Sequence, residues 1–320
     1  MSDWQPCTTP EILRDRAEAL ATIRQFFAER QVLEVDTPVL ASAANPDTAI
    51  EPLALNVQGS CHGEPYFLQT SPEFFMKRLL CAGSGSIYQL CHVFRDDELG
   101  RYHNPEFTML EWYRTDFDMF SLIEEVETLM GVLMPALGTP ATRISYHALF
   151  EQATGLDLRT ASPGEIRKLA ADLDIVVSPK HPDDGLIEMI FSIATASWMR
   201  EQPAVVVYHF PACQASLAKL SPDDPAVALR FEYYVDGVEL ANGFEELDDP
   251  IEQRRRFDLE NARRRERGAR AMPVDEHLLA ALEQGMPACS GVAAGIDRIL
   301  MIRNRQPDIA SVMAFPFARA

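Results

Sequence analysis

Hydrophobic and polar residues recur along this chain with two different periods, which predict helices and strands. Apolar side chains return at helical spacing from Ile12 to Phe27, after a Thr9-Pro10 pair that is typical of a helix start. A helix is therefore predicted to about Arg30. Further helices are predicted near residues 71–80, 119–135, 163–173, 184–200, 248–268 and 275–284, with a last one from about Gly295.

Alternating and continuous apolar runs predict the strands. SIYQLCHVF and EFTMLEWYR are two strands joined by a polar loop, and QVLEVDTPVL is an extended segment ended by Pro38. Strands are hairpin neighbours more often than parts of βαβ units, which favours an α+β fold with an antiparallel sheet flanked by helices. One domain over residues 1–320, with a helical insertion at about 140–200, is predicted. Further strands are predicted at 66–70, 204–210, 228–235 and 288–292.

Charge and composition narrow the functional class. The 320 residues carry a formal net charge of −19, which argues against a general nucleic-acid binder because phosphate contacts need a basic surface. Apolar runs are shorter than a membrane span, and the polar start lacks a signal-peptide core, so a cytoplasmic protein is predicted. The six cysteines form no CxxC pair, so reduced thiols are predicted.

The segment RRRFDLENARRRERGAR, from Arg254 to Arg270, departs from this acidic average with eight arginines. Acidic residues lie between them, so one interpretation is a solvated helix with i,i+4 ion pairs. The other interpretation is a docking patch for an acidic partner. The sequence leaves both open.

A polar loop followed by a carboxylate in a strand marks the first candidate site. The loop in CHVFRDDELGRYHNPEF carries Arg95, His103 and Asn104. By itself, Glu111 in the following strand is either part of a site or a surface residue of an edge strand. Alternation places Phe107, Met109, Glu111 and Tyr113 on one face of that strand, with Leu110, Trp112 and Arg114 on the other.

A second set of carboxylates lies in RFEYYVDGVELANGFEEL. An Asp-Gly pair at 236–237 predicts a two-residue hairpin that sets Tyr234 opposite Glu239 and leaves Glu232 on the same face. Two unpaired carboxylates there would repel each other. A Mg²⁺ ion bridging to substrate phosphates would relieve this, and a cross-strand arginine is the alternative. An Asn-Gly pair at 242–243 predicts a further turn.

Near the C-terminus, CSGVAAGIDRILMI predicts a short strand and then a helix with Arg298 in its first turn. Gly291 and Gly295 allow a close approach of the backbone, and a helix N-terminus favours anions. The glycine pair is either a packing contact or part of a phosphate site. A glycine pair of this kind is more often a packing contact, and the nearby arginine and carboxylates strengthen the case for a phosphate site.

These segments resemble the motifs of class II aminoacyl-tRNA synthetases, and within that class they are similar to lysyl-tRNA synthetases. Arg95 with its loop and HNPEF resembles motif 2, ELANGFEEL the segment before motif 3, and GVAAGIDR motif 3. VDTPVL resembles motif 1, which implies a homodimer with Pro38 at its interface. The match covers nearly the whole chain from about residue 10.

The resemblance implies an ATP site with Arg95 and Arg298 as its catalytic residues. Arg95 would grip the α-phosphate and the substrate carboxylate. Phe107 would stack on adenine, with Arg298 on the other face reaching the γ-phosphate. Glu232 and Glu239 would hold Mg²⁺. The ATP-binding residues that the resemblance implies are Arg95, Asp96, Asp97, His103, Asn104, Phe107, Glu239, Leu240, Gly295 and Arg298.

The same resemblance implies a pocket for lysine or (R)-β-lysine, because a dibasic substrate needs several carboxylates. Ala293 stands where lysyl-tRNA synthetases carry glycine, and its methyl group would crowd an α-ammonium more than a β-ammonium. The implied substrate-binding residues are Ser71, Glu73, Glu111, Tyr113, Asn242, Glu246 and Ala293.

Two departures from lysyl-tRNA synthetases refine the resemblance. Arg95-Asp96-Asp97 replaces the usual Arg-Asn-Glu, which places a shorter acidic side chain toward ATP. Only a short arm and one helix precede motif 1, so no OB-fold anticodon-binding domain is expected.

With GVAAG in place of a glycine-rich motif, the chain resembles the elongation factor P lysine ligases, which are truncated lysyl-tRNA synthetase paralogues. These activate (R)-β-lysine as an adenylate and transfer it to a lysine of elongation factor P. The implied partners are ATP, Mg²⁺ and elongation factor P, without tRNA. The alternatives are a reduced lysyl-tRNA synthetase that charges tRNA and a non-catalytic paralogue that senses an amino acid.

Overall fold

An eight-stranded mixed sheet with helices on both faces forms the body of this α+β protein. The computed structural model describes residues 4–58, 65–96, 99–138, 140–176 and 183–320. The helices are α1 Pro10–Glu29, α2 Glu73–Cys81, α3 Met119–Leu133, α4 Tyr146–Thr154, α5 Pro163–Asp172, α6 Asp183–Glu201, α7 Pro250–Glu266, α8 Glu276–Gln284 and α9 Ile296–Arg303. The strands are β1 Leu33–Glu34, β2 Leu40–Ala41, β3 Ala54–Leu55, β4 Tyr66–Leu68, β5 Ile87–Phe94, β6 Glu106–Thr115, β7 Thr142–Ser145, β8 Ala204–Pro211, β9 Val227–Val235, β10 Val238–Glu245 and β11 Cys289–Gly295.

The order of strands in the main sheet is β1-β5-β6-β11-β10-β9-β8-β7. The strands from β5 to β8 in this order are antiparallel to their neighbours, whereas β1 and β7 pair in parallel at the two edges. Strands β2, β4 and β3 form a separate small antiparallel sheet. The predicted antiparallel sheet is therefore confirmed at its centre, and parallel pairing is confined to its edges.

The N-terminal helix has the predicted start. Thr9 Oγ1 accepts a hydrogen bond from the Ile12 N–H at 3.4 Å, and Pro10 occupies the first turn. The apolar face of α1 buries Phe27 against Trp112 of β6, with the ring centroids 5.4 Å apart. The periodicity of the sequence thus defines the face that α1 turns to the sheet.

The predicted alternation along β6 is confirmed. Leu110 and Trp112 are buried in the core that α1, α3 and α9 form with the sheet. Glu111 and Tyr113 point to the opposite face, where they line a cavity. One strand therefore supplies both the apolar core and the candidate site.

The β9–β10 hairpin pairs Tyr234 with Glu239, as predicted. A β-bulge then shifts the register by one residue, so that Asn242 pairs with Glu232. The turn predicted at 242–243 is wrong, because both residues lie within β10. Gly243 is there for packing, since a Cβ at this position would overlap side chains of β9 and β11.

Residues 146–201 contain α4, α5 and α6, which pack on β8 around a second apolar core. Ser145 caps α4, with its Oγ accepting from the Ala148 N–H at 3.3 Å. A third apolar core joins α2, α7 and α8 to the sheet, with Met76 and Phe257 at its centre. These two groups of helices flank the cavity described below.

Two predictions from composition can be compared with the structure. The cysteines in the described ranges carry free thiols, as predicted, and Cys61 lies outside those ranges. In the part of the chain that the structure describes, no helix combines the length and the apolar character needed to cross a bilayer.

Candidate active site

The candidate site is a cavity of about 630 Å³ on the sheet face opposite α1, α3 and α9, a usual size for a small-molecule site. Strands β6, β11, β10 and β9 lie side by side and form its floor. Their register aligns Glu111, Ala293, Asn242 and Glu232 in one row. Residues far apart in the sequence therefore meet on one surface.

The neighbouring row across the same strands consists of Tyr113, Gly291, Phe244 and Arg230. Gly291 leaves space in this row. A Cβ there would overlap both the ring of Tyr113 and Oε1 of Glu246. The missing side chain therefore lets a phenol and a carboxylate approach the floor of the cavity.

Arg95 follows β5 directly and lies over Phe107, with 5.2 Å from Cζ to the ring centroid. Its Nε donates to the Thr70 carbonyl at 3.5 Å, and its backbone N–H donates to the Pro105 carbonyl at 2.9 Å. The guanidinium and the ring both line the cavity. Together they provide a cation for phosphate and a flat surface for a base.

Arg298 is held by two neighbouring residues of the motif 2 loop, Tyr102 and His103, and by Glu239 of β10. Its Nε donates to the Tyr102 carbonyl at 3.1 Å, its Nη1 to the Glu239 carbonyl at 3.0 Å, and its Nη2 lies 2.7 Å from His103 Nε2. The Nη1 also lies 3.5 Å from Glu239 Oε2. These contacts orient the guanidinium at the cavity wall before any ligand binds.

Helix α9 is itself anchored beside this arginine. Asp297 is buried, accepts from the Thr108 N–H at 2.7 Å and lies 2.5 Å from Arg16 Nη1. Arg16 also donates to Thr108 Oγ1 at 2.6 Å. The network connects α1, β6 and α9, so the position of Arg298 depends on the packing of all three.

Glu232 and Glu239 line the cavity together, as predicted. Arg230 Nη2 lies 2.5 Å from Glu232 Oε1, and the Tyr234 hydroxyl donates to the other oxygen. An arginine partner is therefore present, although it comes from the same strand rather than from the opposite one. Burial raises the pKa of Glu232, Arg230 opposes this, and the charge of Glu239 raises it further.

The donor chemistry at this pair fits a magnesium ion, because Mg²⁺ prefers carboxylate oxygens and usually takes few of them from the protein. A cation between the two glutamates would also relieve their repulsion. Among the described residues, no group of three or more His, Cys, Asp or Glu side chains is arranged to hold a metal. An ion here would therefore need substrate oxygens as further ligands.

Three carboxylates in the cavity lining are buried: Glu111 of the first row, Glu73 and Glu246. Lys77 Nζ is 2.7 Å from Glu73 Oε1 and 2.6 Å from Glu246 Oε2, and Lys77 is 1% exposed. Burial by itself would lower the pKa of Lys77, but Glu246 and Glu73 outweigh it, so that the pKa is raised. The lysine is therefore charged and partly neutralises the cluster.

Glu111 accepts two hydrogen bonds, one from Ser71 Oγ at 2.7 Å and one from the Tyr113 hydroxyl at 2.6 Å. Burial and then Glu73 raise the pKa of Glu111, against those hydrogen bonds. Burial also raises the pKa of Glu246, against the effect of Lys77. Glu246 Oε1 is buried and accepts no hydrogen bond from the described residues. A bound ammonium group would satisfy this oxygen and relieve the repulsion.

A family model described as tRNA synthetases class II (D, K and N) matches residues 3–319 of the chain. The chain belongs to the class II tRNA synthetase family. The elongation factor P–(R)-β-lysine ligase of Vibrio atlanticus is similar, with 46% identity over 323 residues that cover 100% of this chain and 99% of that protein. Proteins of the same name from Edwardsiella ictaluri and Klebsiella pneumoniae are 46% and 44% identical, covering 100% and 99% of this chain and 99% and 98% of their own lengths.

The predicted family and fold class are therefore confirmed, and residues of the segments that resemble motif 2 and motif 3 line the cavity. The roles of individual residues toward a ligand remain predictions. The predicted site residues that line the cavity are Ser71, Glu73, Arg95, His103, Asn104, Phe107, Glu111, Tyr113, Glu232, Glu239, Leu240, Asn242, Glu246, Ala293, Gly295 and Arg298.

Two of the residues predicted for the ATP site make structural contacts of their own, and a third lies outside the described residues. Asp96 donates its backbone N–H to the Glu51 carbonyl at 2.8 Å and is not part of the cavity lining. Asp97 lies outside the described residues. Asn104 donates to the Glu106 carbonyl at 2.6 Å and accepts from the Phe317 N–H at 3.0 Å, so its amide holds the motif 2 loop to the C-terminal segment.

The arginine-rich segment forms α7 and the residues after it, at the edge of the cavity. Arg255 and Arg256 pair with Glu252, and Arg263 pairs with Glu260, at i,i+3 and i,i+4 spacings. The ion-pair interpretation therefore holds for these arginines. Four members of the segment line the cavity, which leaves the docking interpretation open: Arg255, Arg256, Arg263 and Arg267.

Sequence reasoning missed residues that support the class II site without belonging to a motif. Lys77 stands one helical turn after Glu73, which was an available signal. Arg230 stands two residues before Glu232 in the same strand, which was another. Nothing in the sequence pointed to the contact of Arg16 with α9, because the two are joined only by tertiary packing.

Proposed function

We propose that this chain is an ATP-dependent ligase that joins (R)-β-lysine, or lysine, to a lysine side chain of elongation factor P. The observation that carries the proposal is the buried cluster Glu73, Glu111 and Glu246 in the same cavity as Arg95 and Arg298. A diammonium substrate needs such carboxylates, and the arginines suit phosphate and carboxylate. Full-length similarity to proteins named elongation factor P–(R)-β-lysine ligase supports the acceptor.

In the first step, the carboxylate of the amino acid attacks the α-phosphorus of ATP and pyrophosphate leaves, which gives an aminoacyl-adenylate. Arg95 would offset the negative charge of the substrate carboxylate and of the α-phosphate as they come together. Arg298 would hold the γ-phosphate. The contacts of Arg298 with Tyr102, His103 and Glu239 fix its direction beforehand. Preorganised positive charge of this kind stabilises a transition state without reorganisation.

Class II enzymes use ATP, and the site has room for the metal that accompanies it. Glu232 and Glu239 would hold Mg²⁺, which would supply further neutralisation of the phosphate charge when bound. Phe107 provides a ring on the cavity wall against which adenine would stack.

In the second step, the amine of the acceptor lysine attacks the carbonyl carbon of the adenylate. A C–N bond forms, the bond to AMP breaks with its electron pair leaving on AMP, and the amine loses a proton. No covalent intermediate with the enzyme is required, so positioning carries much of the rate.

We also propose that residues 1–320 act as one catalytic domain with α4–α6 as a helical insertion, and that the chain forms a homodimer through the motif 1 region. The single match to the family model from residue 3 to 319 supports one domain. A partner surface is supported by exposed apolar side chains at or just before motif 1 (Leu33, Val39 and Leu40) and at or just after β3 (Leu55 and Val57).

The test is ATP–pyrophosphate exchange with lysine and (R)-β-lysine, followed by mass spectrometry of elongation factor P incubated with the protein, ATP and each amino acid. Amino-acid-dependent exchange and an acylated acceptor lysine are expected. A parallel incubation with tRNA should give no charged product. Absence of exchange would leave only a non-catalytic amino-acid sensor, and charged tRNA with unmodified elongation factor P would favour a reduced synthetase.

A further inference from the structure

Lys77 is a buried cation that lies behind the amino-acid pocket rather than in it. Its Nζ contacts Glu73 Oε1 at 2.7 Å and Glu246 Oε2 at 2.6 Å, yet Lys77 is not part of the cavity lining, whereas both glutamates are. Lys77 is 1% exposed, and burying its charge costs free energy unless paired carboxylates compensate it. Its two partners are the carboxylates that a substrate ammonium would meet.

The charges in this cluster leave a defined balance. When Glu73, Glu111 and Glu246 are all ionised, their three negative charges and the positive charge of Lys77 give the cluster a net charge of −2. A lysine-type substrate whose carboxylate is used at the ATP side presents two ammonium groups to this cluster. The net charge of −2 therefore matches a ligand that carries two ammonium groups.

We propose that Lys77 is a positioning residue for substrate selection, whose charge favours the ionised form of Glu246 and directs the carboxylates of Glu73 and Glu246 at the cavity, where the two ammonium groups of the substrate would bind. The proposal rests on the proposed function. It assigns the effect to the charge of Lys77 rather than to the volume that its side chain fills between α2 and β10.

The surroundings of the ammonium define what else titrates nearby. The ring centroid of Phe244 lies 5.6 Å from Lys77 Nζ, and this side chain carries no titratable group. Burial raises the pKa of the Cys81 thiol and of the Cys289 thiol, so both stay neutral near pH 7. The titratable groups around the cluster are Glu73 and Cys81 on α2, Glu111 and Tyr113 on β6, Glu246 after β10, and Cys289 on β11.

The experiment is the pH profile of kcat/KM for lysine, and for (R)-β-lysine in parallel, measured by pyrophosphate exchange with the full chain. The acidic limb reports the pocket carboxylates of the free enzyme. In Lys77→Met, loss of the neighbouring cation should shift this limb to higher pH by about one unit or more. In Lys77→Arg, which keeps the charge but changes the shape, the limb should stay within about half a unit of the parent.

An unmoved limb in folded Lys77→Met, or an equal displacement in Lys77→Arg, would overturn the proposal. If Lys77→Met does not fold, Lys77→Met/Glu73→Gln removes the ion pair as a unit and is compared with Glu73→Gln alone. Both variants lack the Glu73 carboxylate, so they differ only at Lys77. The acidic limb should lie at higher pH in the double variant than in Glu73→Gln. Acidic limbs at the same pH would again overturn the proposal. A parent without amino-acid-dependent exchange would instead refute the proposed function.

Discussion

Replacing Gly291 by alanine tests the amino-acid pocket with a single methyl group. Gly291 lies on β11 between Tyr113 of β6 and Phe244 of β10. An added Cβ would overlap the Tyr113 ring and Glu246 Oε1. Both side chains line the cavity, so either can yield only by moving into space that the amino acid would occupy. The methyl group must therefore displace one of them.

The losses of stability and of activity in Gly291→Ala can be worked out from the side chains that the methyl group displaces. Overpacking of a buried site costs about 1–3 kcal/mol of folding free energy, so Tm should fall. Loss of one charge-assisted contact between Glu246 and a substrate ammonium costs about 1.5–3 kcal/mol, which lowers kcat/KM for the amino acid by roughly 10- to 150-fold. The KM for ATP should change little, because Gly295 and the ATP side lie four residues, roughly 13 Å, along the strand.

The assay is amino-acid-dependent pyrophosphate exchange, with separate variation of lysine and ATP. Gly131→Ala is the matched control, because it adds the same methyl group on α3 where no atom lies within 4 Å of the new Cβ. The control should keep parent kinetics. Parent-like lysine kinetics in folded Gly291→Ala would refute the placement of the ammonium site beside Glu246 and Tyr113.

Three further predictions follow from the same cavity. Arg95→Ala and Arg298→Ala should each abolish pyrophosphate exchange while circular dichroism shows a folded protein, and near-normal exchange would remove the assigned ATP site. Ala293→Gly should raise kcat/KM for α-lysine relative to (R)-β-lysine, by up to about 1–3 kcal/mol, and an unchanged ratio would contradict steric selection by this methyl group. Burial raises the pKa of Glu111 from 4.5 to about 7, so the folded state holds a proton that unfolding releases, and stability should fall as pH rises through this range. Thermal melts of Glu111→Gln between about pH 5 and 8 should therefore depend less on pH than those of the parent, and identical slopes would contradict the raised pKa.

Local signals along the chain predicted most of the helices and strands. For several of them these signals also predicted which face is buried. The Thr9-Pro10 cap, the alternation in β6 and the Asp-Gly turn before β10 act over a few residues, so their outcome can be read from neighbours in the sequence. The Asn-Gly pair at 242–243 has the same composition as a turn but lies inside β10. Pairing with β9 and β11 on both sides overrides the local preference there.

The sequence by itself determined the family, the candidate residues and which of them share a face of one strand, because motifs and alternation are properties of short segments. Tertiary structure alone decided that Glu111, Ala293, Asn242 and Glu232 form one row, because that depends on strand order and on the bulge in β10. It also decided that Lys77 neutralises part of the pocket. Its second partner, Glu246, lies on a distant segment, and only the packing of α2 against the sheet brings the two side chains into contact.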